Sequence, residues 1–461
     1  MMTLATAHQL LPGSKLVGDP QVTFSRVHTD TRTLQASDLF VALKGERFDA
    51  HDFLTSFKQG GIRPTASLIQ YGLAGRSLAE LGLSGLEVVD TKIALGLLAK
   101  NWRGHLAKQK DIPLIAVTGS NGKTTLTQMI ASILKTWKND ATLATVGNFN
   151  NDIGVPLTLL RLRESHACAV VELGMNHIGE IADLAVMTAP SVAVVNNAQR
   201  EHQEFMGTVE AVARENGAVI SSLPANGTAV FPADDDYAYV WRELADTRKV
   251  LTFALANADI TASFEWRAGA WQVKASTPSG EINYALHMAG KHNIKNSLAA
   301  VACALAAGVP LSHIQKGLQA FTAVAGRSRT VQLGKGKSAI TLVDDTYNAN
   351  PDSVIAAIDM LMDLPAPRLL ILGDMGEVGN QGPAFHTEVG VYARARGIDQ
   401  FWTMGELCRH AGGTHFASID ELLVCVNKLA GSVLVKGSRF MKMERVVKHL
   451  EKQYEEAAHA A

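Results

Sequence analysis

The sequence predicts an α/β protein of three domains: a smaller N-terminal α/β domain, a central parallel sheet carrying a phosphate loop, and a C-terminal dinucleotide-fold-like domain. Three observations predict it. At 461 residues the chain is too long for a single core. Short continuous apolar runs alternate with amphipathic stretches of helical period, the pattern of strands covered on both faces by helices. One strand-to-helix junction is occupied by Gly119-Ser120-Asn121-Gly122-Lys123-Thr124-Thr125, a turn that gathers backbone N–H groups and a helix N-terminus around one point.

The N-terminal unit, residues 1–86, contains the strand-like run Asp38-Leu39-Phe40-Val41-Ala42-Leu43, a turn of Gly and charged residues, and a helix from about Asp52 to Gly60. Leu81-Gly82-Leu83-Ser84-Gly85 reads as the linker that leaves it. In the central unit, 87–325, the run Leu114-Ile115-Ala116-Val117 leads into the glycine-rich turn. Leu126, Met129, Ile130, Ile133, Leu134 and Trp137 then recur at the steps of one helical face. Two more apolar runs, Cys168–Val171 and Val192–Val195, end in Glu172 and in Asn196-Asn197. Parallel sheets bind ligands at the carboxyl ends of their strands, where these polar groups fall. In the C-terminal unit, 326–461, strands are expected at Ile340–Val343, Leu369–Leu372, Phe401–Thr403 and Val433–Val435. The helix after the first starts on an Asn350 cap with Pro351 in its first turn. No Gly-x-Gly-x-x-Gly run accompanies this domain, so no nicotinamide cofactor is assigned to it.

Charge is nearly balanced, 43 basic against 44 acidic residues, so nothing points to nucleic acid or to an anionic membrane as partner. No apolar run approaches the roughly 20 residues that span a bilayer, and the first residues lack the basic and apolar segments of a signal peptide. A cytoplasmic, monomeric enzyme is the expectation. Cys168, Cys303, Cys408 and Cys425 form no Cys-x-x-Cys pair and are expected to be buried, reduced thiols.

The candidate chemistry starts at the turn. Lys123 is placed to reach the β- and γ-phosphates of a nucleotide, and the Thr124 hydroxyl to take a position on its magnesium. The usual phosphate-loop pattern has a glycine five residues before the Gly-Lys pair; Val117 stands there, so this loop is a shortened form. Glu172 ends a buried strand, where an acidic magnesium ligand belongs, unless it is a plain surface carboxylate. His202 follows the next strand; a lone loop histidine is usually just solvated. Asn148, Asn150 and Asn151 form an amide-rich segment, and such segments are more often turns than ligand sites.

The loop, Glu172-Leu173-Gly174-Met175-Asn176-His177-x-Gly179-Glu180-Ile181 and His292-Asn293-Ile294-Lys295-Asn296 together resemble the Mur ligases, the ATP-dependent amide-forming enzymes of peptidoglycan precursor synthesis. The resemblance runs the length of the chain. Asp30-Thr31-Arg32, Phe40 to Gly45 and Phe48 to Phe53 look like the family's domain for the uridine-diphosphate end of the substrate, with Thr31, Arg32, Lys44 and His51 as its candidate contacts. Ala325-Gly326-Arg327, Asp344 to Pro351 and Val435 to Arg439 resemble the carboxyl-terminal half. Asp345-x-Tyr347-Asn348-Ala349-Asn350-Pro351 and Leu372 to Gly379 look like the member that adds D-alanyl-D-alanine; the Asp-Asn-Pro-Arg motif expected of the member adding a diamino acid is absent.

The resemblance implies ATP and magnesium as cofactors, and UDP-N-acetylmuramoyl-tripeptide and D-alanyl-D-alanine as substrates. It implies an acyl-phosphate intermediate. Gly119, Ser120, Asn121, Gly122, Lys123, Thr124, Thr125, Asn293, Asn296, Arg327 and Asp345 would bind ATP, with Asp345 accepting from ribose. Thr124 and Glu172 would hold one magnesium and His202 help with a second. Asn148, Asn150, Asn151, Tyr347, Asn348, Lys436, Ser438 and Arg439 would meet the peptide substrates; Asn350 would either join them or serve only as a helix cap. Readings kept open are a sister ligase adding the third residue, a folate polyglutamate ligase, a nucleotide-gated switch protein and an inactive paralogue.

One departure stands out. Most Mur ligases carry a carbamylated lysine about four helical turns after the histidine, as a carboxylate for the second magnesium. That position is Asn216, and no lysine stands between Lys138 and Lys249. Either Glu215 swings in, or the second site is weaker, or Asn216 simply fills the space.

Overall fold

A computed structural model describes all residues except 59–61, 73–76, 268, 335–338, 427–428 and 461, and the side chains of 457–460. The central sheet has six parallel strands in the order Lys249–Phe253, Thr228–Pro232, Val192–Val195, Leu114–Thr118, Cys168–Glu172 and Thr142–Ala144. Strand Leu114–Thr118 lies between Val192–Val195 and Cys168–Glu172, so the three predicted runs are neighbours. Their ends converge on the loop before helix Lys123–Lys138, whose Leu126, Met129, Ile130, Ile133 and Leu134 are buried against the sheet as the periodicity predicts.

The C-terminal domain repeats this plan. Its sheet order is Arg329–Leu333, Ile340–Asp345, Gly431–Lys436, Arg368–Gly373, Gln400–Met404 and Thr414–Phe416, parallel except for the first pair. Two apolar clusters cover its two faces. Helix Pro351–Met362 starts on Asn350, whose side chain accepts from the Ser353 N–H while Ser353 Oγ accepts from the Asn350 N–H, a reciprocal cap.

The N-terminal sheet has five strands, Lys15–Val17, Gly85–Val88, Ala66–Gln70, Asp38–Val41 and Arg26–His28, all parallel but the first pair. This corrects the linker reading of 81–85. Leu81 ends a short helix, Gly82 caps it in the left-handed region, and Gly85 opens an interior strand that runs past residue 86. Close approach explains the glycine, since a Cβ on Gly85 would sit 1.8 Å from the Ser67 carbonyl oxygen. The segment after the charged turn is a 3₁₀ run, Ala50–Lys58, and the expected end at Gly60 lies outside the described residues.

Helix Thr91–Ala107 joins the first two units. Leu95, Leu98, Ala99, Trp102 and Leu106 enter one continuous core that includes Leu39 and Leu68 of the N-terminal sheet and Ala116 and Val171 of the central one. A feature absent from the expectation is the antiparallel sheet Thr261–Arg267, Ala270–Thr277 and Gly280–Leu286, which packs Trp271, Val273 and Ile282 into the core on the other face of the central sheet. Cys168, Cys303 and Cys408 are buried, and burial raises all three thiols above the ordinary range; Cys425 is exposed, contrary to expectation, on the outer side of a short helix.

Candidate active site

The loop conformation depends on its two glycines. Gly119 has φ +124°, and a Cβ there would lie 2.8 Å from the Asn196 backbone nitrogen. Gly122 has φ +79°, with Asn296 Oδ1 2.7 Å from where its Cβ would be. Both are positions that side chains rarely tolerate. A shortened loop needs bracing, and the neighbouring strand end supplies it. Asn197 Oδ1 accepts from the Asn121 N–H at 2.8 Å, and Asn196 and Asn197 each donate to the Asn121 carbonyl, at 2.8 and 3.0 Å. Gln199 takes the Asn121 amide at 2.6 Å and donates its own N–H to Ser120 Oγ at 2.9 Å.

Lys123 Nζ donates to the Gly119 and Ser120 carbonyls and lies 3.1 Å from Glu201 Oε2. Thr124 Oγ1 donates to Glu172 Oε1 at 3.0 Å, and Asn150 Nδ2 to the same oxygen at 2.8 Å. The other carboxylate oxygen, Glu172 Oε2, is buried with no hydrogen-bond partner. A buried, unpartnered carboxylate oxygen beside a threonine hydroxyl is the donor chemistry of a hard divalent cation site, so the residues fit a magnesium ion.

These groups line a cavity of about 960 Å³ between the central and C-terminal units, which also takes in Asn148, Asn151, His202, Arg327, Tyr347, Asn348 and Glu377. A second cavity, of about 650 Å³, shares the loop and is lined by Thr125, Asn293, Asn296, Arg327, Asp345 and Lys436. Asn296 Oδ1 accepts from Asn196 and its amide donates to Asn293, which ties this helix start to the loop. Arg327 stacks on Tyr347, with 3.9 Å between guanidinium carbon and ring centre.

Asp345 is held on both oxygens. Oδ2 meets Lys436 Nζ at 2.5 Å and Oδ1 accepts from the Ser328 N–H at 2.9 Å. Burial by itself would raise this carboxyl; the charge and hydrogen bond of Lys436 outweigh it and hold it below the ordinary value.

The cleft is bridged from the C-terminal side. Arg200 forks onto Asp352 at 2.6 Å and Glu388 at 2.8 Å, which raises its already high pKa. The Asn121 and Asn350 side chains meet at 3.0 Å. His202, at φ +46°, puts Nδ1 2.8 Å from Glu377 Oε2, at φ +59°, in an ion-pair contact without hydrogen-bond alignment. The imidazole holds the Glu377 carboxyl below its ordinary range.

Several of the expected contacts lie away from these cavities. Thr31, Arg32, Lys44 and His51 line neither cavity. Arg32 is exposed and forks onto Asp30, and Lys44 is exposed at the chain turn it forms with Asp49. His51 is buried: one ring nitrogen meets Asp49 at 2.6 Å and the other accepts the Gln70 N–H at 3.0 Å, so the ring braces the domain. Ser438 is buried too, donating to the Ala349 carbonyl at 3.1 Å and accepting from the Gly376 N–H at 2.6 Å. Arg439 lies outside both cavities and pairs loosely with Glu444.

Glu215 does not swing in. Its carboxylate accepts from the Gly179 and Ile181 N–H groups at 2.9 and 2.8 Å and caps the helix that starts at Glu180. Asn216 is buried, and its Oδ1 accepts from the Gly119 N–H at 2.8 Å, so it braces the loop. The sequence reading also missed Arg200, Glu201, Gln199 and Glu377; only the polar ends of the second and third strands signalled such a cluster. Another buried trio, Asp374, His386 and Cys408, has its atoms within 4.8 Å of one another but is spent internally. His386 Nε2 accepts from Met375 N–H, its Nδ1 donates to Gly382, and Asp374 accepts from the Cys408 N–H.

Comparison with known proteins matches this architecture. The family model for the Mur ligase middle domain matches residues 117–304, and that for the Mur ligase glutamate ligase domain matches 326–459. The UDP-N-acetylmuramoyl-tripeptide–D-alanyl-D-alanine ligase of Escherichia coli K12 is 40% identical, covering 98% of each chain. The ligase of the same name from Haemophilus influenzae is 38% identical over 94% of this chain and 95% of its own. A crystal structure of MurF from Acinetobacter baumannii superposes with a TM-score of 0.87 at 33% identity, covering 98% of both chains. Fold, loop and relatives agree: the chain belongs to the Mur ligase family.

Proposed function

We propose that the chain joins D-alanyl-D-alanine to the terminal carboxylate of UDP-N-acetylmuramoyl-tripeptide, consuming ATP. The observation that carries this is the convergence of the braced loop, Glu172 and the Tyr347-Asn348 segment on one cavity, in a chain similar along its whole length to ligases of that name. A carboxylate is a poor electrophile, so ATP first phosphorylates it. Lys123 and the loop N–H groups neutralise the charge of the moving phosphoryl group. The dipeptide amine then attacks the acyl phosphate, and the tetrahedral intermediate expels phosphate. Thr124, Glu172 and His202 would hold magnesium, which when bound supplies Lewis-acid neutralisation of phosphate oxygens. The second cavity suits the nucleoside, with Asn293, Asn296, Arg327 and Asp345 around it; Asp345 Oδ2 keeps one lone-pair site for a ribose hydroxyl beside the Lys436 contact. The N-terminal unit, which runs through strand Gly85–Val88, receives the uridine-diphosphate end, the central unit to residue 325 holds ATP, and 326–461 bring the dipeptide and close on ATP. Product mass after incubation with ATP, the tripeptide precursor and D-alanyl-D-alanine tests the reading. A product with another amine, and none with the dipeptide, overturns it.

Closure is carried by Arg200. Its partners are partly exposed, so the fork is worth about 1–2 kcal/mol after screening. X-ray scattering is expected to show compaction when ATP and the nucleotide-linked substrate both bind, and less of it in Arg200→Ala; unchanged dimensions in the parent protein count against closure.

Asn216 has no amine to carbamylate, and both ends of its amide are engaged. The ligation rate is therefore expected to be the same with and without added bicarbonate. A large stimulation would show that a lysine elsewhere serves.

A further inference from the structure

We propose that Glu201, oriented by Asn216, is a ligand of a second divalent cation beside the nucleotide. The inference rests on the ATP-dependent reading above. Glu201 is 6% exposed yet lines the large cavity. Its Oε1 accepts from Asn216 Nδ2 at 3.2 Å. Its Oε2 lies 3.1 Å from Lys123 Nζ and 4.0 Å from His202 Nε2. A carboxylate and an imidazole nitrogen thus meet in the cavity that the unpartnered Glu172 Oε2 also lines.

Asn216 fixes this geometry. The Gly119 N–H can donate only to the amide oxygen, so Nδ2 must face Glu201. Thr118 Oγ1 donates to the Asn216 carbonyl at 3.1 Å and pins the backbone of the same helix turn. With its oxygen spent on Gly119, Asn216 is a positioning residue and offers a cation nothing itself.

The charge balance indicates what Glu201 does. Its cationic partner in this structure is Lys123. When Lys123 reaches forward to phosphate, the Glu201 carboxylate is left buried beside a neutral amide and an imidazole. A buried unpaired charge is costly, and a hard divalent cation between Glu201, His202 and the phosphate oxygens removes that cost. Lys123 and the cation therefore exchange places at Glu201 as the nucleotide binds. The side chain of an ordinary amino acid supplies the carboxylate here, with no covalent modification.

Manganese binding by the full chain in the presence of a non-hydrolysable ATP analogue tests this by electron paramagnetic resonance. The parent protein is expected to bind two manganese ions. Glu201→Gln, nearly isosteric, is expected to keep the first and to lose at least tenfold in affinity for the second. Asn216→Ala, which also removes a brace of the loop, is expected to weaken the second ion severalfold more than the first. Retention of the first ion in both variants shows that fold and nucleotide site survive. Two ions bound by Glu201→Gln with parental affinity would overturn the proposal and leave Glu201 as a counter-ion of Lys123; a single ion in the parent protein would also overturn it. Failure of the parent protein to bind manganese and nucleotide at all would sink the ATP-dependent reading as well.

Discussion

Lys123→Met is expected to lower the rate of phosphate release with all three substrates about 100- to 1,000-fold, the usual cost of removing one preorganised group that meets charge developing in a transition state. Methionine keeps the apolar stem and removes only the ammonium. Lys123 donates to two loop carbonyls, but Asn121, Asn196, Asn197 and Gln199 brace the loop independently of it, so its shape should survive. The loss should therefore fall on kcat, with the KM for ATP moving much less. Lys123 is also the ammonium beside Glu201, at 3.1 Å, so its removal takes away that carboxylate's cationic partner as well. Lys123→Arg should recover part of the rate, because it restores charge but presents a planar fork where the loop holds a compact ammonium. A fall of less than tenfold in Lys123→Met would show that the loop backbone alone carries the charge.

What the sequence made legible was local. The strand before the loop, the helix after it and the Asn350 cap each follow from a few consecutive residues with a fixed period. Glu172 was legible because strand ends are where parallel sheets put ligands. What stayed hidden was set by long-range packing. Nothing periodic marks Asn196, Asn197 and Gln199 as braces; they become so only because strand Val192–Val195 pairs with strand Leu114–Thr118. The Gly82–Gly85 stretch has linker composition, yet Gly85 is required by backbone approach inside a sheet. His51 and Ser438 sit in motifs beside polar neighbours, and only their burial reveals that their hydrogen bonds are spent internally. Glu215 and Asn216 are adjacent on one helix, and their roles separate because successive helical residues face directions about 100° apart. Glu215 caps a neighbouring helix, while Asn216 faces the loop.

The largest stability effect is expected at Lys436. It is 3% exposed, and its ammonium serves Asp345 and the Asn348 carbonyl, the latter at 2.9 Å. Lys436→Met leaves the Asp345 carboxylate buried without its counter-charge, a change that costs about 3–5 kcal/mol when a buried pair is broken from one side. Strands Ile340–Asp345 and Gly431–Lys436 are direct neighbours, so the loss should appear as faster amide hydrogen exchange in both. Adding Asp345→Asn removes the stranded charge, and the double variant should recover most of the loss; equal instability of single and double variants would mean that Lys436 acts through packing alone. The pH response supplies a separate sign test. In the parent protein the Asp345 carboxyl is depressed, so its contribution is present above the ordinary carboxylate value and fades as pH falls through the depressed one. Without Lys436 only His292 and the Ser328 N–H oppose the burial that raises this carboxyl, so protonation should cost the variant less than it costs the parent protein. On acidification from neutral, protection factors in these two strands should therefore fall less in the variant than in the parent protein. The same pair borders the nucleoside cavity and holds the backbone at Asn348, beside Tyr347. The stability lost at Lys436 should therefore be accompanied by weaker nucleotide binding, measurable as a rise in the KM for ATP.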